Sequence, residues 1–336
     1  MKQRTLKTPY AYLINFVLLA AVLIVGIVLF NSGSLNRAAR ALVLQCGVYA
    51  MLAVSLNVCT GYLGQLPLGH AGFMAVGAYI GALFWKATTA WPQPVALILG
   101  LILAGLAAAV FGVIIGIPAL RLRGDYLAII TLGFGEIIRI AIINLPSVTG
   151  GTPGLLNIPK YTNFPVTFLC LVVCCFVIHN VMHSRHGRAI LAIRDNEIAA
   201  DCCGIDLTKY KVFAFALSAF FAGVAGAVYA GFQGSLFPKS FDFMASINIL
   251  VMVVLGGMGS MTGAVIAATV LTALPNLMQA LSTYRMLIYS LLLIVVMIFK
   301  PSGLMGHRDL SVTRLVNRLL RGKGGGIHVG LHYANA

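Results

Sequence analysis

The chain has 336 residues, 60% of them hydrophobic and only 9% charged, with 23 Lys and Arg against 8 Asp and Glu and a net charge of +15. Soluble globular chains carry about 25% charged residues, so this composition excludes a water-facing outer surface over most of the chain. The basic residues lie between apolar runs and form neither a stripe nor an aromatic-studded patch, which argues against nucleic acid as a partner.

A basic start with Lys2, Arg4 and Lys7 precedes an apolar run from Tyr12 to Phe30. Its 19 residues exceed the about 7–15 of a signal-peptide core, and no small-residue cleavage site follows, so a retained first span is expected. A spanning helix needs about 20 apolar residues. Ten runs approach that length: 12–30, 41–59, 68–84, 95–117, 126–145, 165–182, 212–232, 246–258, 263–281 and 286–299. The third, eighth and tenth are short, as partial or broken helices packed inside protein are. The expected fold is an all-α integral membrane protein, a polytopic helical bundle of about 10 transmembrane helices (range 8–10), with a candidate inverted repeat.

Between these spans, 16 of the Lys and Arg residues fall on one side and 6 on the other, with Arg139 inside a span. The positive-inside rule then puts both termini in the cytoplasm. Three regions are expected: a cytoplasmic N-terminus over 1–11, a transmembrane domain over 12–300 with a cytoplasmic loop at 183–211, and a cytoplasmic tail over 301–336. In that tail Val312, Leu315, Val316 and Leu319 recur at helical spacing with Arg314, Arg318 and Arg321 on the other side, a basic amphipathic helix suited to the lipid surface.

Of seven cysteines, Cys46, Cys59, Cys170, Cys174 and Cys175 lie in apolar runs as small hydrophobes. Cys202 and Cys203 are adjacent, which fits neither zinc nor redox spacing, so no metal site and no disulfide framework is expected. Gly77/Gly81, Gly112/Gly116 and Gly259/Gly263 have the GxxxG spacing that lets helix backbones approach in lipid. The string Gly61 to Gly69 is echoed by Gly256 to Gly263, a sign of duplication.

No phosphate-binding GxxxxGK[ST] loop, GxSxG or HExxH occurs, so no ATP is cradled by this chain and enzyme chemistry is disfavoured. The clear intramembrane charges are Glu136 and Arg139, spaced i,i+3 so that they neutralise each other. They form a self-contained pair facing the bundle, a contact for a zwitterionic solute or a proton relay. So few intramembrane charges point to an external energy source. Asn57 is expected in an interhelical hydrogen bond, and His70 is expected as a hydrogen-bonded structural residue or, alternatively, a ligand contact. Gly61, Gly64, Gln65, Gly69, Gly133, Gly135, Gly256, Gly257 and Gly259 are candidates to line a water-filled route, or else close-packing positions. In the loop after the sixth span, Ala189, Ile190, Ile193, Ile198 and Ala199 fall near one face of a short helix ended by Gly204, with Arg194, Asp195, Glu197 and Asp201 on its other faces. Such a helix suits the groove of another protein.

Glu197-x-Ala199-Ala200-x-x-x-Gly204 resembles the EAA-type cytoplasmic loop of bacterial ABC-importer permeases, with one extra residue after the glutamate. Arg188 to Ile205, Gly61 to Gly72, Leu120 to Arg139, Thr149 to Gly154, Leu255 to Ser260 and Pro301 to Leu304 are similar to strings of branched-chain amino acid ABC permeases, of the LivM type in the LivH/LivM family. The resemblance spans roughly 40–306; Met261, and Pro67 where the family often has Ser, depart from it. It implies a multi-pass protein of the bacterial inner membrane that works with a second permease subunit, two ATPase subunits and a periplasmic binding protein delivering leucine, isoleucine or valine. ATP is then used by the partner subunits and no cofactor is bound by this chain. Arg188, Arg194, Glu197, Ala199, Ala200 and Gly204 are the implied ATPase-coupling loop. A urea or short-amide permease of the same family, and an autonomous secondary carrier or channel, are the alternatives.

Overall fold

In lipid a backbone must satisfy its own hydrogen bonds, which a helix does within one segment. The computed structural model describes residues 36–120, 125–277, 294, 298 and 303–306, and is built of helices. All of these residues belong to one unit, Leu29–Asp309. The helices are α1 (Arg37–Asn57), α2 (His70–Ala87), α3 (Gln93–Ala119), α4 (Asp125–Ile143), α5 (Phe164–His183), α6 (Arg185–Asp195), α7 (Glu197–Cys202), α8 (Leu207–Gln233), α9 (Phe243–Gly256) and α10 (Met261–Leu277), with a single turn at Pro146–Thr149.

The runs predicted from 41–59 to 263–281 coincide with α1 to α5 and α8 to α10. The run 12–30, nearly all of 286–299 and the basic tail helix lie outside the described residues. Among the described residues, five segments are long and apolar enough to cross a membrane: Arg37–Tyr62, Gln93–Ala119, Tyr126–Ile143, Phe164–His183 and Leu207–Gln233. With the shorter apolar helices α9 and α10, they make this a multi-pass membrane protein.

The centre of the bundle is α8, packed on α3, α2 and α1. Small residues set its distance from them. The bare Cα of Gly77 on α2 meets the backbone of Gly223 on α8, and Gly226 meets the backbone of Met74. On the other side of α8, Gly223 abuts Ala104 and Ala108 of α3, and Gly112 abuts Ala219. Two of the three predicted GxxxG pairs, Gly77/Gly81 and Gly112/Gly116, therefore seat helices against α8. The outward stripe of α3, with Ile98, Ile102, Leu106, Val110 and Ile114 exposed, carries only apolar side chains and suits lipid.

Two helices start inside the bundle. After α1 the chain makes a π-helical turn, Val58–Tyr62, then Leu63 to Gly69 runs back without helix. The first residue of α2, His70, is buried and its Nε2 lies 2.9 Å from Ser55 Oγ. Ser55 sits seven residues before Tyr62, roughly 10 Å along a helix rising 1.5 Å per residue. From the opposite end of the bundle the chain after α8 also turns inward. Leu236 exchanges backbone hydrogen bonds with Leu155, and Tyr79 Oη donates to the Leu236 carbonyl at 3.4 Å. Asp242 then caps α9 by accepting from Ala245 N at 2.9 Å. The two inner helix starts touch, since Ala71 N donates to Ser246 Oγ at 3.0 Å.

Candidate functional site

At the end of α5 the chain folds into the segment whose sequence drew attention. Ser184 stops α5 in extended backbone and its hydroxyl accepts from His186 N at 3.2 Å, starting α6. Asn196, again extended, breaks the segment and accepts from Ala199 N at 3.0 Å, starting α7. Gly204 ends α7 at φ +79°, with Ile205 N donating to Ala200 O at 3.1 Å. A Cβ at Gly204 would meet nothing, so the glycine is needed for its left-handed backbone rather than for space.

One expectation changes here. Ile190, Ile193 and Ala200 are buried, but Ile198 is 71% exposed and Ala199 is exposed as well. The break at Asn196 reorients α7, so the five small and apolar residues do not share one face. Ile198, Ala199, Asp201, Cys202, Cys203 and Gly204 are exposed outside the spans, with Asp201 the one charge among them. Arg188 is exposed on α6.

Two polar ties join this segment to the bundle. Glu197 Oε1 lies 2.6 Å from Lys211 Nζ, whose side chain is only 5% exposed near the start of α8. Sequence reasoning passed over Lys211; its position at the edge of an apolar run, 14 residues after the glutamate, was the available signal. The second tie is Arg194, whose Nη1 donates to the Gly61 carbonyl at 3.0 Å while Nη2 pairs with Asp195 Oδ1 at 3.0 Å. Its stem lies over Gly64, which sits at φ +76°.

The two glycine-rich strings meet at this end of the bundle. Asn57 Oδ1 accepts from Gly259 N at 2.9 Å and its Nδ2 donates to Ser260 O at 3.1 Å, so one side chain satisfies both a donor and an acceptor of the other string. Gly61 abuts the Gly259 backbone directly. Gly256 abuts Gly263, and Gly257 abuts Gly306 and Gly303, with Leu304 N donating to Leu255 O at 2.7 Å. Gly69 lies against the Thr131 backbone and Gly135, so α2 and α4 cross closely. Gly133 faces open space, and Gln65 Oε1 is buried without a partner. The glycine candidates thus divide: most are close contacts, Gly64 among them under the Arg194 stem, while Gly133 is open.

Glu136 and Arg139 pair on α4, Arg139 Nη2 to Glu136 Oε2 at 2.7 Å. Their side chains are 29% and 26% exposed. They share the outward side of α4 with Tyr126, Ile129, Gly133, Ile137 and Ile140. An ion pair left open to hydrocarbon is costly, at about 2.5–3.5 kcal/mol or more for one charge at mid-membrane. Pairing at 2.7 Å offsets part of that cost, and the charged pair marks this side of α4 off from the wholly apolar stripe of α3. Glu136 and Asp242 also border one narrow cleft, lined by Gly69, Gly72, Gly135 and Ser246, where the two inner helix starts meet. Among the described residues no His, Cys, Asp and Glu cluster could hold a metal.

Residues 38–299 match the family model described as branched-chain amino acid transport system / permease component. The chain is 39% identical over 300 residues to the high-affinity branched-chain amino acid transport system permease protein LivM of Salmonella typhimurium, covering 77% of this chain and 68% of that one. It is 27% identical over 292 residues to the LivH permease protein of Escherichia coli, covering 78% and 92%. It is 23% identical over 327 residues to a probable LivM permease of Methanocaldococcus jannaschii, covering 82% and 95%. No solved structure matches the chain.

Proposed function

This chain belongs to the family of branched-chain amino acid transport permease components, and from that premise we propose that it forms half of the membrane pathway of an ATP-driven importer for leucine, isoleucine and valine. The other half is a second permease subunit. Two ATPase subunits bind and hydrolyse ATP, and a periplasmic binding protein delivers the solute. The chain performs no chemistry of its own. It resides in the bacterial inner membrane with about ten spans and both termini in the cytoplasm. The 16-to-6 division of basic residues supports that orientation.

The observation that carries the reading is the exposed α7 surface backed by two polar ties to the spans. Ile198 and Ala199 face outward for a partner, while Glu197–Lys211 and Arg194–Gly61 hold the same segment to α8 and to the end of α1. A partner gripping α7 would pull on two spanning helices at once. The pathway runs along the outward side of α4, where Gly133 is open and the Glu136–Arg139 pair interrupts the apolar surface.

Reconstitution tests this. Proteoliposomes with the full assembly, ATP and loaded binding protein are expected to take up leucine, and those with this chain alone are not. Leucine flux from the single chain without ATP would refute the reading, as would uptake of urea in preference to leucine by the full assembly.

A further inference from the structure

We propose that Arg194 is a positioning residue that carries displacement of α6 and α7 into the two glycine-rich elbows, one at residues 58–64 and the other at 256–260. The proposal rests on the coupling reading above and names the route.

The route is a series of direct contacts. Arg194 leaves α6 and donates to the carbonyl of Gly61 at 3.0 Å, a residue 133 positions away in the chain. Its charge is shared with Asp195, 70% exposed at the surface, so the second nitrogen is free to bind the carbonyl. The acceptor belongs to the π-helical turn Val58–Tyr62. Such turns carry an extra residue and occur often at functional sites. Below the guanidinium, the arginine stem occupies the space a Cβ at Gly64 would need, 2.8 Å from Cγ. A shift of α6 therefore presses on Gly64 as well as pulling on Gly61.

From Gly61 the contact passes on without a side chain between. A Cβ there would come within 2.7 Å of Gly259 Cα. Asn57, one turn earlier on α1, binds Gly259 N and Ser260 O with both ends of its amide. The elbow between α9 and α10 thus moves with the end of α1. The tie from Glu197 to Lys211 reaches α8, which itself packs on the first elbow, Cys59 Sγ lying 3.9 Å from the Ala214 carbonyl. Of the two ties, Arg194 is the one that binds elbow backbone directly.

The test uses the complete importer in proteoliposomes, normalised to assembled complex. Loss of a charged hydrogen bond is expected to reduce leucine uptake per ATP hydrolysed by about tenfold in Arg194→Ala, with the ATPase subunits still co-purifying. Arg194→Lys keeps a donor for the Gly61 carbonyl and is expected to recover most of the coupling. Asn57→Ala is expected to uncouple likewise, and the double variant Asn57→Ala/Arg194→Ala no further, because contacts in series are not additive. The proposal is overturned if Arg194→Ala couples normally, if Lys gives no rescue, if the two losses add, or if all loss of uptake tracks fewer assembled complexes. Ile198→Asp separates this from the coupling reading. If it retains the ATPases, that reading fails; if it sheds them while Arg194→Ala couples normally, only the route through Arg194 fails.

Discussion

The pair Glu197–Lys211 makes an asymmetric prediction. Lys211 has a 5% exposed side chain and Glu197 a 31% exposed one, at 2.6 Å. Removing the glutamate strands a buried cation, which costs about 3–5 kcal/mol. Removing the lysine as Lys211→Met keeps the aliphatic volume and leaves a carboxylate that water reaches, a cost of about 1–3 kcal/mol. Glu197→Ala should therefore destabilise the protein more than Lys211→Met by roughly 2 kcal/mol, about thirtyfold in population. The double variant should lie closer to Lys211→Met than to Glu197→Ala. Thermal unfolding of the purified chain in detergent, followed by intrinsic fluorescence, reads the order of the midpoints. A midpoint for Lys211→Met at or below that of Glu197→Ala would refute the argument, as would a double variant less stable than both singles.

Three further outcomes follow from other contacts. Gly77→Val sets two methyl groups against the Gly223 backbone and should lower the melting midpoint by at least the about 1–3 kcal/mol of an overpacked core, with reduced insertion as the second readout. Ser55→Ala leaves the buried ring of His70 short of its 2.9 Å partner and should cost about 1–3 kcal/mol by the same melting assay. Gly204→Ala places a side chain at φ +79° where there is ample room, so it should cost only the left-handed strain of about 1–2 kcal/mol; Gly204→Trp, equally strained but bulky on the exposed α7 surface, should in addition lose ATPase co-purification.

Much of this arrangement was legible because lipid makes polar residues conspicuous. Asn57, His70, Glu136 and Arg139 stand in apolar runs; the buried Asn57 and His70 have the hydrogen bonds that burial requires, and the partly exposed Glu136 and Arg139 pair with each other. Helix ends were close to expectation where a run was near 20 residues, because hydrophobic length approximates them; α8 departs, starting at Leu207 behind the Asp206 cap, five residues before its run at 212–232. The break at Asn196 was less legible. Helical spacing carried the apolar face of α6 across it and misplaced Ile198 and Ala199. The partnership of Lys211 with Glu197 was hidden because it joins two elements whose relative placement no local pattern encodes. The echo between the strings at 61–69 and 256–263 read as duplication; that their elbows would pack on one another is a tertiary fact.

Where α2, α8 and α3 cross, bare backbones rest on one another at Gly77, Gly223 and Ala104. Such a junction has no rotamers to rearrange and no slack to take up a small slip. The three rods are thus obliged to travel as one slab, and any reshaping of the molecule is left to the elements outside it.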